Sequence, residues 1–406
     1  MELTAGLVWL LVASALVLFM TPGLAFFYGG MTRAKSALNM MMMSFVAIGT
    51  VGIMWVLWGA SMATSNKDNF FQIFANPTSH FGLHNFTEPA DLLKVGYAAT
   101  FAIITVALIS GAVADRAKFS AWVIFTPIWA TLVYAPLAYM VWGGGLFSAD
   151  GWFGQTFAPV IDFAGGTVVH INAGVAGLVA AWFVGKRLGY GQTALKPHNV
   201  PFTYIGAMLL WVGWFGFNAG SAAAADTVAS LAFLNTVLAT AAAVLGWTLV
   251  EAIGKGKPSA LGAASGAVAG LVGITPACGT VGPLGAIVIG FVAGVVCVWG
   301  VTGLKRLLKV DDTADVFGVH GVGGIVGAIL TGVFSAQSLG GTKADLDIAH
   351  QVWVQVVSVG LTVVWSAVVT TLILLVVRSV VGLRVTEEAE RTGLDVTSHG
   401  ESAYEA

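Results

Sequence analysis

The sequence predicts an all-α integral membrane protein with eleven transmembrane helices: two inverted five-helix repeats plus a long, tilted eleventh helix. Three observations support this prediction. Hydrophobic residues make up 57% of the 406-residue chain and charged residues only 9%, whereas soluble domains carry about 25% charged residues. Eleven stretches are long and apolar enough to cross a bilayer. Two similar histidine motifs, HINAGVAG and HGVGGIVG, lie five stretches apart.

The eleven stretches are close to the roughly 20 residues that a helix needs to cross the hydrocarbon core. The first follows Met1 and Glu2 without a basic segment or a small-residue cleavage site, so we expect a membrane helix rather than a cleaved signal peptide. The last is longer than the membrane is thick, which predicts tilt or a cytoplasmic extension. The stretches lie near Leu7–Tyr28, Leu38–Met62, Val95–Val113, Ala121–Val141, Phe163–Val184, Pro201–Gly220, Val228–Ile253, Ala260–Pro276, Leu284–Leu304, Val316–Ala336 and Ile348–Val381.

The distribution of basic residues predicts the orientation. Alternate loops and the C-terminal end carry 15 of the 18 lysines and arginines, and such loops face the cytoplasm. We therefore expect a multi-pass protein of the inner (plasma) membrane with its N-terminus outside and its C-terminus inside. The membrane domain would cover residues 1–383, with halves near 7–190 and 200–340, and residues 384–406 would form a cytoplasmic tail. The net charge of −2 gives no indication of nucleic-acid binding, and the two cysteines have no disulfide or metal-site spacing.

His170 and His320 are the strongest functional signal, because each lies in an apolar stretch and begins the pattern H-x3-G-x2-G. A single buried histidine is more often a structural hydrogen-bonding group. A repeat-equivalent pair inside a membrane instead favours a conduction site at the interface of the two halves. Each ring should lie about seven residues into its helix, so the two rings approach the membrane centre from opposite sides and can touch. The glycines of the motif should let the helices pack closely.

Six further motifs show a resemblance that covers nearly the whole chain. The sequence resembles the ammonium transporters of the Amt/Mep/Rh family, and the Amt branch in particular. The resemblance implies a homotrimer with one pore in each subunit and no cofactor. The motifs are GLAFFYGG (Gly23–Gly30), MVWGGGLF (Met140–Phe147), DFAGGTVVHINA (Asp162–Ala173), GWFGFNAGS (Gly213–Ser221), GITPACG (Gly273–Gly279) and VDDTADVFGVHG (Val310–Gly321).

The resemblance also implies roles for individual residues. Tyr97 departs from the pattern, since many relatives have phenylalanine there, and its hydroxyl is expected to alter the affinity or selectivity of the outer site. The other positions match: Phe101 and Phe217 resemble a stacked gate, Trp142 and Ser221 an external ammonium-recruitment site, His170 and His320 the twin histidines of the pore, Trp214 a pore-lining residue and Asp162 an acidic residue at the outer mouth.

The chemistry of these residues agrees with that interpretation. Aromatic rings and a hydroxyl attract a small cation, by about 0.5–2 kcal/mol for each good cation–π contact, although an interfacial aromatic belt would place Trp and Tyr similarly. No stretch has an acidic residue at mid-depth, so an ion crossing there faces a large desolvation penalty. We therefore predict that ammonium loses a proton near the gate and crosses as ammonia. The proton would follow separately, through the histidines or water, which makes transport electrogenic.

Acidic residues before the two histidines have a structural alternative. Asp162 is expected to cap the fifth helix rather than to bind the cation directly. Asp312 and Asp315 are expected to begin the tenth helix on the cytoplasmic side.

The tail carries a second predicted activity. Gly393, Asp395, Ser398 and His399 fit the family pattern of a tail that packs under the helices and helps to dock a PII-type signalling protein. By composition alone, a floppy acidic tail is the alternative. For the whole chain, an ammonium sensor and a passive channel for a neutral solute are the competing functions. Ammonium-evoked current, with methylammonium as an analogue, would separate these functions. No nucleophile, metal or phosphate-loop pattern suggests an enzyme.

Overall fold

The computed structural model describes residues 4–64, 68–84 and 86–404. Within these ranges, ten helices are long and apolar enough to cross a membrane, and one shorter apolar helix of 15 residues stands eighth in order. The predicted helical membrane fold is therefore confirmed, and the count of eleven depends on including the short helix. The spans are Ala5–Met31, Ala34–Ala63, Pro89–Val113, Phe119–Trp142, Gly166–Val184, Val200–Ala222, Thr227–Lys255, Ala260–Ile274, Pro283–Leu308, Phe317–Phe334 and Ile348–Val381.

Several spans are not α-helical throughout. Wider π turns are found in the fourth and ninth spans and again in the fifth and tenth, which are pairs of equivalent spans in the two repeats. Such turns often mark functional sites because they change the direction of the side chains that follow. The π turns are Trp55–Gly59, Ala130–Tyr134, Gly166–Ile171, Gly300–Leu304, Phe317–Gly321 and Asp395–His399, and the 3-10 turns are Ala34–Ser36, Phe81–Leu83, Ser110–Val113, Ala219–Ala222 and Gln337–Leu339.

Short elements connect the spans on the predicted outer side and in the tail. Strand Asn69–Phe70 pairs antiparallel with Phe74–Ala75, with Asn69 opposite Ala75. A short helix, Trp152–Thr156, precedes the fifth span. The tail contains the helix Glu387–Thr392.

The packing repeats between the two halves. In the first half, the first span packs on the third, the second on the fourth and the third on the fifth. The equivalent pairs pack in the second half: the sixth on the eighth, the seventh on the ninth and the eighth on the tenth. The first and sixth spans also pack on each other along their length, as do the fifth and tenth near their starts. The eleventh span lies against the fourth, fifth and tenth. This pattern agrees with the inverted repeat predicted from the histidine motifs.

Small residues allow the closest crossings. A Cβ at Gly206 of the sixth span would meet the Cα of Phe27 at 2.5 Å, and a Cβ at Gly290 of the ninth would meet the Cα of Ala239 at the same distance. Since real Cβ atoms do not approach so closely, glycine is required for the backbones to approach as they do. Cys278 and Cys297 are free and fully buried, which agrees with a role as small apolar fillers.

Candidate functional site

The fifth span begins within the molecule, just before His170. Asp162 accepts hydrogen bonds at Oδ1 from the amides of Gly165 (2.9 Å) and Gly166 (2.5 Å), and at Oδ2 from the amide of Thr167 (2.8 Å). The Thr167 hydroxyl also donates to Asp162. This carboxylate therefore caps the helix, which is the structural arrangement that the sequence favoured. The expected depth of His170 was wrong: the span begins at Gly166, so the ring lies in its first turn.

Asp312 makes the same arrangement in the second half. Its Oδ1 accepts from the amide of Val316 at 3.0 Å and its Oδ2 from the amide of Phe317 at 2.8 Å. Asp312 stands eight residues before His320, as Asp162 does before His170. The sequence interpretation missed this equivalence, although the shared spacing was present in the sequence. The tenth span begins at Phe317, so His320 also lies in a first turn.

The two histidine rings meet at the start of these spans. Nδ1 of His170 lies 3.2 Å from Nδ1 of His320, and the two residues are 1% and 3% exposed. One nitrogen must donate and the other accept, so the neutral pair requires complementary tautomers. Nε2 of His170 is buried and has no hydrogen-bond partner among the described residues. This atom remains able to bind a small polar molecule.

The glycines of the motif make this contact possible. A Cβ at Gly324 would lie 2.9 Å from Cγ1 of Ile171 and 3.2 Å from Cβ of His170. A Cβ at Gly174 would overlap the backbone of Gly321, the residue after His320. The fourth residue after each histidine thus packs against the histidine turn of the other half. H-x3-G is therefore the sequence signature of a close crossing of two π turns.

Stacked aromatic rings lie next to the histidine pair. The rings of Phe101 and Phe217 are parallel within 13° with centroids 4.0 Å apart, and their residues are 4% and 0% exposed. Beneath them, the ring of Trp214 stacks on His170 at 5.3 Å, and its Nε1 donates to Thr275 at 2.9 Å. The predicted gate and pore residues therefore form one continuous column of rings.

A cavity of about 640 Å³ lies above this column. Trp142 is 40% exposed and lines the cavity. Its ring meets that of Phe101 edge-on, with ring centroids 6.3 Å apart. Its Nε1 donates to the carbonyl of Asp162 at 2.8 Å. The Tyr97 ring lies 4.8 Å from Phe101. Ser221 lines the same cavity, so the predicted recruitment residues are brought together.

The Tyr97 hydroxyl is already engaged by the protein. The hydroxyl is within donating distance of two carbonyl oxygens, that of Gly216 at 2.9 Å and that of Phe217 at 3.0 Å. Its oxygen also lies 3.3 Å from Oγ of Ser221, which in turn donates to the Phe217 carbonyl at 2.8 Å. The extra hydroxyl thus anchors the end of the sixth span beside the cavity. A direct contact between Tyr97 and ammonium stays a prediction. In such a contact, an ammonium N–H would donate to the Tyr97 hydroxyl oxygen.

Other lining residues were not identified from the sequence. The rings of Trp55, Tyr134 and Phe163 complete the aromatic wall of the outer cavity, and Asp150 and Lys94 are its charged lining residues. Phe163 belongs to the quoted motif around Asp162, so its position could have been inferred. In the ranges that the structure describes, no cluster of three His, Cys, Asp or Glu residues could hold a metal ion.

The sequence matches the profile of the Ammonium Transporter Family over residues 8–404. The chain belongs to this family. It is 48% identical to the ammonium transporter of Aquifex aeolicus, covering 99% of this chain and 93% of that one. It is 46% identical to the ammonium transporter of Bacillus subtilis, covering 98% of both. Its function is accordingly ammonium transport across a membrane, and its relatives are transporters rather than enzymes.

Solved structures agree with this assignment. A protein described as a sensor Amt protein superimposes with a TM-score of 0.90 at 27% identity, covering 97% of this chain and 98% of that one. Mep2 of Saccharomyces cerevisiae gives a TM-score of 0.85 at 34% identity, with 94% and 90% covered.

A buried ionic network joins the two halves of the transporter on the predicted cytoplasmic side. Nη2 of Arg187 lies 2.8 Å from Oδ1 of Asp311, and Arg187 also contacts Asp115 at 3.4 Å. Burial opposes ionisation of Asp311, but the hydrogen bonds from Arg187 and the Arg116 charge outweigh it and lower the pKa of this carboxyl. Arg116 is fully buried, which lowers its pKa to about 10, and it donates to the carbonyl of Asp311 at 2.6 Å.

The tail is docked on this face. Asp395 accepts hydrogen bonds from the amides of Leu38 (3.1 Å) and Asn39 (2.7 Å) at the start of the second span. Nδ2 of Asn39 lies 3.0 Å from Nε2 of His399. Gly393 has φ +117° and packs against Lys35.

The buried Glu390 and the exposed Ser398 complete the description of the tail. Glu390 is 0% exposed and accepts from Arg384 at 2.7 Å. Ser398 is exposed. The docked conformation differs from the floppy tail that composition alone allows.

Proposed function

We propose that the transporter recruits ammonium at its outer aromatic cavity, removes a proton, and conducts ammonia past the gate along the paired histidines. The proton crosses separately, so that transport is electrogenic. The observation that carries the proposal is the 3.2 Å contact between Nδ1 of His170 and Nδ1 of His320 beneath a closed aromatic stack.

Recruitment relies on the rings and oxygens of the outer cavity. Trp142, Phe101 and Tyr97 offer π faces or edges around one space, and each well-placed face attracts a desolvated cation by about 0.5–2 kcal/mol. The Ser221 hydroxyl donates its proton to Phe217, so its oxygen is available as an acceptor. Ammonium can donate to this oxygen, whereas K⁺ has no proton to donate. The cavity therefore favours ammonium over alkali cations of similar size.

Deprotonation follows from the cost of passing the gate as an ion. Asp162, which caps the start of the fifth span, has both carboxylate oxygens engaged by amides of that helix. An ammonium ion below Phe217 would therefore lose its hydration without gaining a free counter-charge, at an effective cost of several kcal/mol. Ammonia avoids this cost. Nε2 of His170 has no partner among the described residues and offers the neutral molecule a hydrogen-bonding group in this column.

Electrical recording on proteoliposomes tests this mechanism. We expect replacement of His170 or His320 by leucine to abolish the ammonium-evoked current or to admit K⁺, because the polar path through the column is lost. H350L is the matched control, since His350 is exposed at the start of the eleventh span. Unchanged current with unchanged selectivity in both leucine variants contradicts the mechanism.

The assembly, orientation and regulation belong to the same proposal. We infer a homotrimer in the plasma membrane, with the N-terminus outside and the docked tail inside. The tail, with Ser398 exposed and Asp395 anchored, would present a surface to a PII-type signalling protein. Native mass spectrometry of the purified protein tests the trimer. Accessibility of single cysteines placed in the loops tests the orientation.

A sensing function is the alternative, and the similarity to a sensor Amt protein favours considering it. A sensor would bind ammonium while passing little or none. Ammonium binding by the purified protein without any current in proteoliposomes would support this alternative and overturn electrogenic transport.

A further inference from the structure

Lys305 and Asp315 form an ion pair at the end of the molecule opposite the aromatic cavity. Nζ of Lys305 lies 2.8 Å from Oδ1 of Asp315, and the two side chains are 19% and 25% exposed. Oδ2 of Asp315 has no hydrogen-bond donor in the part of the chain that the structure describes. Half of this carboxylate therefore remains available to a second cation.

The pair lines a cavity of about 320 Å³ together with Arg187, Tyr190 and Thr313. Asp315 also begins the segment that leads to the pore, since its carbonyl accepts from the amide of Val319, the residue before His320. A cation bound to Asp315 would therefore stand at the inner mouth of the path that ammonia follows.

The repeat makes the carboxylate notable. Asp315 corresponds to Gly165, since each lies three residues after its capping aspartate and five before its histidine. Both adopt positive φ, at +113° for Gly165 and +58° for Asp315. Glycine adopts this conformation without strain, whereas aspartate there costs free energy. The inner mouth thus holds a carboxylate at the position where the outer side holds glycine.

We propose that Asp315 is an ammonium-binding carboxylate at the inner mouth, and that the tethered ammonium group of Lys305 occupies it and limits rebinding of ammonium from the cytoplasm. This proposal rests on the transport function and orientation proposed above. The Lys305 side chain ends in the same –NH₃⁺ chemistry as the substrate, so the two compete for the same oxygens. A π turn, Gly300–Leu304, directly precedes Lys305.

The other charges at this mouth are already satisfied. Both oxygens of Asp312 cap the tenth span, and Arg187 is held by Asp311. Burial raises the pKa of Asp315 to about 6, so the carboxyl is still mostly ionised at neutral pH. Lys305 and Asp315 are therefore the pair whose rearrangement changes cation binding here. The alternative is a fixed ion pair that only holds the ninth span against the tenth.

The test measures inhibition of methylammonium uptake by ammonium loaded inside right-side-out membrane vesicles. In K305M, a lower internal ammonium concentration should halve the initial uptake rate. We expect this concentration to fall about fivefold, which corresponds to the free energy of one partly exposed ion pair. K305R should match the unmodified protein because it preserves the occupant. The double variant K305M/D315N should lose the added sensitivity. K309M removes an exposed lysine of the same region and should change nothing.

The outcomes separate this proposal from the transport function. Absence of ammonium-dependent uptake in unmodified vesicles overturns the proposed function itself. Normal uptake by K305M with unchanged sensitivity to internal ammonium shows a fixed ion pair and overturns the inference. If K305M does not accumulate in the membrane, K305Q replaces it with the same expected shift. D315N, with Lys305 intact, should not gain sensitivity, and a gain there also counts against the inference.

Discussion

Gly174 and Gly324 occupy equivalent positions in the two halves and pack against the opposite histidine turn. The sequence predicted close helix packing from these glycines, and the structure shows which atoms require it. What the sequence could not give is the partner of each glycine, because that depends on how the inverted halves cross. The residue pattern therefore predicted the contact between His170 and His320 but not the geometry that brings it about.

Substitution of Gly324 by alanine tests this packing. We expect G324A to separate the histidine rings and to reduce transport by at least tenfold, because the new Cβ would lie 2.9 Å from Ile171 and overpacking of this kind costs about 1–3 kcal/mol. G360A is the control, since no atom lies within 4 Å of a Cβ built at Gly360. Initial uptake rates in vesicles with equal protein content provide the measurement. Full activity in G324A would show that the crossing tolerates a methyl group.

The ends of most spans were predictable to within a few residues, because hydropathy over about 20 residues is a strong signal. The start of the fifth span was harder. Phe163 and Ala164 are apolar and were expected to be helical, yet the helix begins only at Gly166, where Asp162 caps it. Apolar content shows that a segment is buried, but it does not show whether the segment is helical. The capping bonds decide that, and they are local geometry.

The Asp162 cap leads to a prediction for the whole fifth span. D162A should lower the thermal unfolding midpoint in detergent and abolish transport, because it leaves buried amides unpaired, at about 1–3 kcal/mol for each lost partner. D347A removes the cap of the eleventh span. That carboxylate is exposed and accepts a single hydrogen bond, from the amide of His350. That control should lower stability less, by about 1 kcal/mol, and should keep its transport. Equal effects of the two changes would contradict a special role for the Asp162 cap.

Across the whole molecule, the sequence predicted the repeat, the site and the side on which charge accumulates, but not how that charge is used. The buried pair of Arg187 and Asp311 joins segments 124 residues apart, and no local pattern indicates such a pairing. The tail was equally difficult. Its polar composition is compatible with disorder, and only the burial of Leu394 and Asp395 against the second span shows that it is docked.

The Arg187–Asp311 pair predicts how stability depends on pH. The pKa of Asp311 is lowered in the folded protein, so its ionised form stabilises the fold at any pH above the unfolded value of about 3.9. This contribution is lost as pH falls through the lower, folded pKa. D311N should therefore destabilise the protein by about 3–5 kcal/mol at neutral pH, as expected for breaking a buried pair, and by less below pH 4. Unfolding midpoints of both proteins from pH 3 to pH 7 provide the measurement, and a difference that does not change with pH would count against the assignment.

The contact of Asp395 with Leu38 and Asn39 also has a consequence for biogenesis. The amides at the start of the second span emerge early from the ribosome, whereas the carboxylate that satisfies them is synthesised 356 residues after Asn39. This contact is therefore completed only after the eleventh span has been synthesised. A nascent or truncated chain would expose those amides to the quality-control proteases of the membrane.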